Sequence, residues 1–215
     1  FTALADASAI VGSHATRAQG TIGGNLMNAS PAMETGGPLV CFDATVTLRS
    51  QAGARWVAVA DLCSGPGETT ARPDELLTAV DVPAPPDGAG SAYVRLEYRR
   101  QMEIAVVGAT AVVTVDGDRV AEARIAITAL APTIHRVAEA EAHLADSDGG
   151  HDAVEAAAAA AAEAAAPISD VRGSAGYRRA MAAVITRRAV QVALDRARGF
   201  DVPVPASSAR PGAAA

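Results

Sequence analysis

The chain has 215 residues, and 50% of them are apolar, which is enough to build a packed core. Its formal charge of −6 argues against a general affinity for nucleic acid, because such binding depends on clustered basic groups. No apolar stretch is long enough for a membrane span and no signal peptide is recognisable, so we expect a cytoplasmic protein. The cysteines (Cys41 and Cys63) and the scattered histidines lack the spacing of metal ligands, so we expect no metal site.

The first predicted element is a helix over residues 3–11. It is followed by a glycine segment that consists of Thr21, Ile22, Gly23, Gly24 and Asn25. Glycine has no Cβ and tolerates positive φ, so a glycine pair lets backbone N–H groups approach an anion closely. The pattern therefore predicts half of a pyrophosphate cradle. A plain turn between two strands is the alternative, and the glycine pair alone does not exclude it.

Three further elements are predicted before residue 84. They are a helix that turns into a strand over 38–48, a strand over 56–59 and a strand over 76–82. The segment 83–91, PAPPDGAGS, is rich in proline and glycine and has no hydrophobic periodicity. It predicts a connection between two domains, with a boundary near 84–91.

An antiparallel sheet is predicted beyond this connection, with strands over 92–98, 107–115 and 120–128. Asp116-Gly117 between the last two strands is a hairpin signal, because the turn requires positive φ. Apolar and polar residues alternate over 121–128. This alternation predicts a sheet with one face on a core and the other face in solvent.

The end of the sheet is followed by residues with helical spacing over 136–144, 152–165 and 175–198. These helices are expected to cover the sheet, and Gly199 is placed to end the last one. Sheet and helices together give an α+β domain. The final residues, 200–215, contain prolines among small residues and are expected to form a disordered tail.

The residues from Arg17 to Asp43, RAQGTIGGNLMNASPAMETGGPLVCFD, carry a family pattern. The segment resembles the FAD-binding medium subunit of the xanthine dehydrogenase and carbon monoxide dehydrogenase family of molybdenum hydroxylases. In that family an Arg, a Gly-Thr-Ile-Gly-Gly-Asn segment, an Asn-x-Ser-Pro stretch and an acidic residue follow in this order. Segments at 100–105, 131–139 and 170–179 are similar to successive signatures of the family's C-terminal flavoprotein domain. The resemblance therefore covers nearly the whole chain.

The resemblance implies a fold of two parts. Residues 1–84 would be the second part of an FAD-binding domain of the vanillyl-alcohol-oxidase (PCMH) type, and Thr21 to Asn25 would be the second of its two glycine-rich loops. The family has a further subdomain with the first loop before this point, so we expect the chain to lack it and to bind FAD poorly alone. Residues 92–199 would be the C-terminal domain, an antiparallel sheet packed on a helical bundle.

The resemblance also implies three cofactor contacts outside the glycine segment. Glu34 stands where the family usually has Asp, Leu77 where an aliphatic residue contacts the cofactor, and Arg95 at a basic position near the flavin ring. Leu77 and Arg95, and also Asn25 of the glycine segment, have alternatives that do not involve FAD. Core packing explains Leu77, a solvated strand arginine explains Arg95, and satisfaction of a turn backbone explains Asn25. No residue is expected to act as a catalytic acid, base or nucleophile.

The resemblance implies an electron-transfer subunit that passes electrons from 2Fe-2S clusters through FAD to an external acceptor. Its expected partners are a large subunit with the molybdenum cofactor and a small 2Fe-2S subunit, assembled as a dimer of heterotrimers. Two alternatives remain open. One is a free-standing flavin oxidase of the same fold, and the other is a docking module without catalysis.

Overall fold

A computed structural model describes residues 1–208 of the chain. The α-helices of this part are α1 (Thr2–Ile10), α2 (His14–Gln19), α3 (Ile22–Met27), α4 (Gly36–Cys41), α5 (Val59–Leu62), α6 (Ala138–Leu144), α7 (His151–Ala164) and α8 (Ala175–Ala197). The strands are β1 (Thr45–Ser50), β2 (Gly53–Ala58), β3 (Cys63–Gly65), β4 (Glu68–Thr69), β5 (Leu76–Asp81), β6 (Ala89–Leu96), β7 (Val107–Asp116), β8 (Arg119–Thr128) and β9 (His135–Arg136). A 3-10 helix spans Ala206–Ser208. None of the helices described here is long and apolar enough to cross a membrane.

The N-terminal half combines short helices with a three-stranded antiparallel sheet in the order β2-β1-β5. Alternation along β1 turns Val46 and Leu48 inward, and both are fully buried among the apolar residues of α1 and α4. A β-bulge between Thr47 and Leu48 shifts the register with β5. The strands predicted over 56–59 and 76–82 are present as β2 and β5, whereas the short β3-β4 pair was not predicted.

The C-terminal half contains a four-stranded antiparallel sheet in the order β6-β7-β8-β9. Strands β7 and β8 form the predicted hairpin, in which Asp116 pairs with Arg119 and Gly117 has a φ of +58°. Strand β6 begins inside the segment predicted as a connection, because Ala89 already pairs with Thr114 of β7. Composition therefore placed the end of this connection a few residues too late.

The second face of this sheet is covered at residues 126–128, so the expectation that it lies in solvent is wrong there, whereas it holds at the hairpin end, where Glu122 is exposed. One face packs on α6, α7 and α8 and is apolar, with Ile125 and Ile127 among its buried residues. The opposite face packs on α1 and α4, and Tyr93, Thr110 and Thr128 on it are fully buried. Alternation identifies two different faces but carries no information about what covers a polar one.

The longest helix, α8, approaches β6 very closely. A Cβ at Gly90 would lie 2.1 Å from the carbonyl oxygen of Ala193, so only glycine allows this contact. Gly199 follows the helix with a φ of +84°, which confirms the predicted stop signal.

The N-terminus of α8 is fixed by side-chain contacts. Ser174 Oγ accepts a hydrogen bond from the N–H of Tyr177 at 3.1 Å and caps the helix. Arg178 is buried and donates to Asp170 Oδ1 at 2.5 Å and to the carbonyl of Val106 at 3.0 Å. These contacts anchor the first turn of α8 to the residue before β7 and to the segment before α8.

Asp6 in α1 connects distant parts of the chain. Its side chain is fully buried and accepts from the N–H of Tyr93 at 3.1 Å, from Arg196 Nη1 at 2.6 Å and from the N–H of Ala206 at 2.8 Å. The carboxylate therefore joins α1 to β6, to the last turn of α8 and to the segment that follows α8.

Residues 200–208, which were predicted as the start of a disordered tail, contact the rest of the chain. Ala206 is buried, and Ser207 Oγ accepts from the N–H of Arg95 at 3.1 Å, so the prediction is wrong for 200–208. Two of the contacts that hold this segment, from Arg95 and Asp6, come from residues more than 100 positions away, which composition does not reveal. Residues 209–215 lie outside the described part of the chain.

Candidate cofactor site

The glycine segment forms the first turn of helix α3 instead of a turn between strands. Thr21 caps this helix, because its Oγ1 accepts from the N–H of Gly24 at 2.9 Å and its carbonyl accepts from the N–H of Asn25 at 3.0 Å. Neither Gly23 nor Gly24 has a positive φ, so the segment does not use the conformational freedom of glycine. Within residues 1–208, no group accepts from the N–H of Ile22 or Gly23, which leaves two donors at the helix start.

The two glycines keep side chains away from this helix start. A Cβ at Gly23 would lie 3.2 Å from Leu77 Cδ2, and a Cβ at Gly24 would lie 3.2 Å from Thr21 Oγ1. Leu77, in β5, is half-buried and also packs against the core of the N-terminal half. Core packing and proximity to the glycine segment therefore coexist at Leu77.

The side chain of Asn25 reaches beyond its own turn. Its Oδ1 accepts a hydrogen bond from Thr35 Oγ1 at 2.5 Å, and Thr35 is buried just before α4. This bond places Glu34 near α3. Asn25 thus holds the segment before α4 in place. The alternative, in which its side chain only satisfies the backbone of its own turn, does not account for this contact.

Glu34 and Arg95 form a buried ion pair. Arg95 Nη1 donates to Glu34 Oε1 at 2.5 Å, and the side chain of Arg95 is 0% exposed. The alternative of a solvated strand arginine is therefore wrong. Burial raises the pKa of Glu34 above its ordinary value, and the charge of Arg95 opposes this shift only in part.

The glycine segment, Glu34, Leu77 and Arg95 are called the cluster below. Three further residues belong to it and were not predicted as site residues. Thr35 bonds to Asn25, Glu97 binds the other side of the Arg95 guanidinium, and Tyr93 lies on the same face of β6 as Arg95. The spacing of residues 93, 95 and 97 is the period of a strand, and it was the available signal for this shared face. Thr35 had no comparable signal in the sequence.

The cluster can bind and orient a ligand, but it contains no nucleophile with an adjacent base. Ser30 Oγ only accepts from the N–H of Ala32, at 3.2 Å. Cys41 is fully buried, and burial raises the pKa of its thiol, which makes it inert. Among residues 1–208, no group of three or more His, Cys, Asp or Glu side chains is arranged to hold a metal ion.

Two family models match the chain. Residues 1–85 match the FAD binding domain in molybdopterin dehydrogenase. Residues 92–193 match the CO dehydrogenase flavoprotein C-terminal domain. The glycine segment, Glu34 and Leu77 lie in the first match, whereas Arg95 lies in the second.

Characterised relatives and solved structures agree with these matches. The chain is 37% identical over 195 residues to the carbon monoxide dehydrogenase medium chain of Afipia carboxidovorans, covering 91% of this chain and 67% of that relative. It is 35% identical to the 6-hydroxypseudooxynicotine dehydrogenase complex subunit alpha of Paenarthrobacter nicotinovorans, covering 91% of this chain and 66% of that relative. Reconstituted CO dehydrogenase from Oligotropha carboxidovorans has a similar structure, with a TM-score of 0.85, 37% identity and coverage of 89% of this chain and 66% of that one. The chain thus spans about two thirds of the length of these relatives.

The residues of the cluster fit the cofactor of this family. The free N–H groups of Ile22 and Gly23 suit a phosphate group, and the first turn of α3 carries no acidic residue that would repel one. The glycines leave no Cβ in the way, and Leu77 supplies an apolar contact beside them. From the matched domains, the identity to a known medium chain and this fit, it follows that the chain belongs to the FAD-binding medium subunits of the molybdopterin dehydrogenase family.

Proposed function

We propose that the subunit to which this chain belongs holds FAD in a molybdenum hydroxylase and passes electrons from 2Fe-2S clusters to an external acceptor. The observation that carries this proposal is the continuous set of contacts from the glycine segment through Asn25, Thr35 and Glu34 to Arg95. The set joins the two matched domains at the positions that the family resemblance assigns to the cofactor. A cofactor held there would touch both domains.

FAD supplies the redox chemistry, because it accepts and releases electrons, and the chain supplies binding and polarity. The N–H groups of Ile22 and Gly23 would hold a phosphate, and Leu77 would limit the space beside it. The Glu34–Arg95 pair would set the charge next to the bound group. No side chain of the cluster needs to move a proton for this role.

The expected partners are a molybdenum-cofactor large subunit and a small 2Fe-2S subunit, in a dimer of heterotrimers. Support comes from the name "medium chain" of one relative and the name "complex subunit alpha" of another, since both belong to proteins of several subunits. These two relatives are named for different substrates, carbon monoxide and 6-hydroxypseudooxynicotine. We therefore place substrate recognition in a partner subunit.

The proposal is tested by purifying the native subunit from its host under mild conditions and recording absorption and metal content. We expect flavin bands together with iron and molybdenum in subunits that purify with it. Flavin without partners or metals, combined with oxidase activity, would contradict the proposal and indicate a free-standing flavin oxidase. Bound partners without flavin would indicate a docking module.

A further inference from the structure

The guanidinium of Arg95 is shared by two carboxylates. Its Nη1 donates to Glu34 Oε1 at 2.5 Å and to the carbonyl of Glu103 at 3.3 Å. Its Nε donates to Glu97 Oε2 at 2.6 Å, and its Nη2 lies 2.5 Å from the same oxygen without the alignment of a hydrogen bond. Three of the five N–H donors thus make hydrogen bonds, to Glu34, Glu97 and the Glu103 carbonyl.

Glu97 determines which way the guanidinium faces. It follows the last residue of β6, two positions after Arg95, so its side chain lies on the same face of the sheet. Contact at Nε and Nη2 engages one edge of the planar guanidinium, and this leaves Nη1 for Glu34. Without Glu97 the plane of Arg95 could rotate about its last bonds, and the contact that joins β6 to Glu34 would lose its fixed geometry.

The charges of Arg95, Glu34 and Glu97 do not sum to zero. Arg95 contributes one positive charge and the two carboxylates contribute two negative charges when ionised. The side chains of Arg95, Glu34 and Glu97 are 0%, 9% and 19% exposed, so solvent screens this charge weakly. A net negative charge beside a redox group disfavours the addition of electrons to that group, because the electrons are repelled.

We propose that Glu97 is a positioning residue of the flavin site, which orients Arg95 towards Glu34 and keeps the charge of this cluster negative. The inference rests on the proposed function, since it requires FAD beside Arg95. It assigns to Glu97 a role in the redox midpoint potential of the flavin. Neutralising Glu97 is therefore expected to shift this potential to more positive values.

The chain contains a matched control for this test. Glu122 in β8 is also two positions from an arginine, and Arg124 Nε donates to its Oε1 at 2.6 Å, as Arg95 does to Glu97. The side chain of Glu122 is 49% exposed and does not contact Glu34 or Arg95. Glu122→Gln therefore removes a carboxylate in the same local geometry but away from the cluster.

The experiment is a spectroscopic redox titration of bound FAD in the purified native complex, carried out on the wild type, Glu97→Gln and Glu122→Gln. We expect Glu97→Gln to raise the midpoint potential and Glu122→Gln to leave it unchanged. An unchanged potential in flavin-loaded Glu97→Gln would overturn the inference and reduce Glu97 to a structural ion pair. A wild-type complex without flavin would instead contradict the proposed function, and the inference would fall with it.

Glu97→Asp keeps the test decisive if Glu97→Gln does not accumulate as a folded, flavin-loaded protein. Aspartate retains the charge but is one methylene shorter, so it reaches Arg95 less well. We expect the wild-type potential together with faster FAD release, followed by the rise in flavin fluorescence. A raised potential in Glu97→Asp would refute the charge argument, and wild-type FAD release would refute the positioning argument.

Discussion

The two faces of the four-stranded sheet are built from the same three long strands but have different chemistry. The face against α6, α7 and α8 is apolar, and its residues form one buried cluster. The face against α1 and α4 carries Arg95 and three fully buried hydroxyl groups, on Tyr93, Thr110 and Thr128, that have no hydrogen-bond partner among the described residues. Buried unpaired hydroxyls reduce stability, because they lose their bonds to water without replacement.

The difference indicates that the two faces serve different purposes. The apolar face supplies stability through burial and close packing, as the approach of α8 at Gly90 illustrates. The polar face holds Arg95, which the family resemblance assigns to the cofactor and which binds Glu34, at some cost in stability. Such a cost is expected where a fold must place polar groups for a ligand. Three sets of amino-acid substitutions in the folded subunit test this comparison.

Loss of the buried carboxylate at the edge of the polar face should have the largest effect. Asp6→Ala removes the acceptor of the hydrogen bonds at this carboxylate and leaves Arg196 buried without its counterion, which typically costs about 3–5 kcal/mol. Urea unfolding of the subunit measures this loss. The control is Glu155→Ala, which breaks the surface pair with Arg187, where solvent screening leaves little to lose. Equal effects of the two variants would contradict the distinction between buried and surface pairs.

Substitutions at two neighbouring positions on β6 should change the free energy of unfolding in opposite directions. Tyr93→Phe removes a buried hydroxyl without a partner and is expected to raise the free energy of unfolding by about 1 kcal/mol. Val94→Thr introduces a hydroxyl on the apolar face and is expected to lower it by about 1–3 kcal/mol. Urea unfolding of the subunit measures both changes. A loss of stability in Tyr93→Phe would show that this hydroxyl has a partner.

The smallest effects should appear as opposite pH dependences at two carboxylates that are both paired with arginine. Burial raises the pKa of Glu34, so the folded state binds its proton first, and stability relative to Glu34→Gln should increase as pH falls towards the ordinary value. The hydrogen bond from Arg55, with that from the Arg72 N–H, lowers the pKa of Glu75 to about 2. Stability relative to Glu75→Gln should therefore be lost as pH falls from the ordinary value through about 2.

Urea unfolding at a series of pH values measures both differences, with each glutamine variant as the reference for its own carboxylate. The account is contradicted if the two differences in the free energy of unfolding change with pH in the same direction at Glu34 and Glu75. Both side chains are shielded from solvent, but Glu75 accepts two hydrogen bonds from Arg55 and one from the Arg72 N–H, so the sign of the pH dependence reports whether burial or hydrogen bonding dominates at each carboxylate.

The parts of the fold with local signals were predictable from the sequence. Gly117 in the hairpin and Gly199 after α8 are where turn and cap chemistry placed them. The helices that pack on the polar face were not predictable, because alternation over 121–128 shows only that the two faces differ. The contact between Asp6 and Ala206 joins residues 200 positions apart and has no local signature.

The candidate site was predictable as a set of residues but not as an arrangement. The family pattern identified the glycine segment, Glu34, Leu77 and Arg95, and their role as cofactor contacts remains a prediction. Their contacts depend on tertiary structure, since Glu34 and Arg95 are 61 residues apart. The helical conformation of the glycine segment was also missed, because two adjacent glycines favour a turn in the absence of a cap such as the one Thr21 provides.

The most direct test of the central claim is the flavin content of the native subunit with a side chain added at the start of α3. Gly24→Val places a branched side chain beside the free N–H groups, whereas Gly176→Val places the same side chain in the first turn of α8, where a Cβ would meet nothing within 4 Å. Both variants should unfold in a single transition near that of the wild type, which excludes general misfolding. The account predicts a wild-type ratio of flavin to protein in Gly176→Val and the loss of flavin from Gly24→Val. Stoichiometric flavin in folded Gly24→Val would contradict the account.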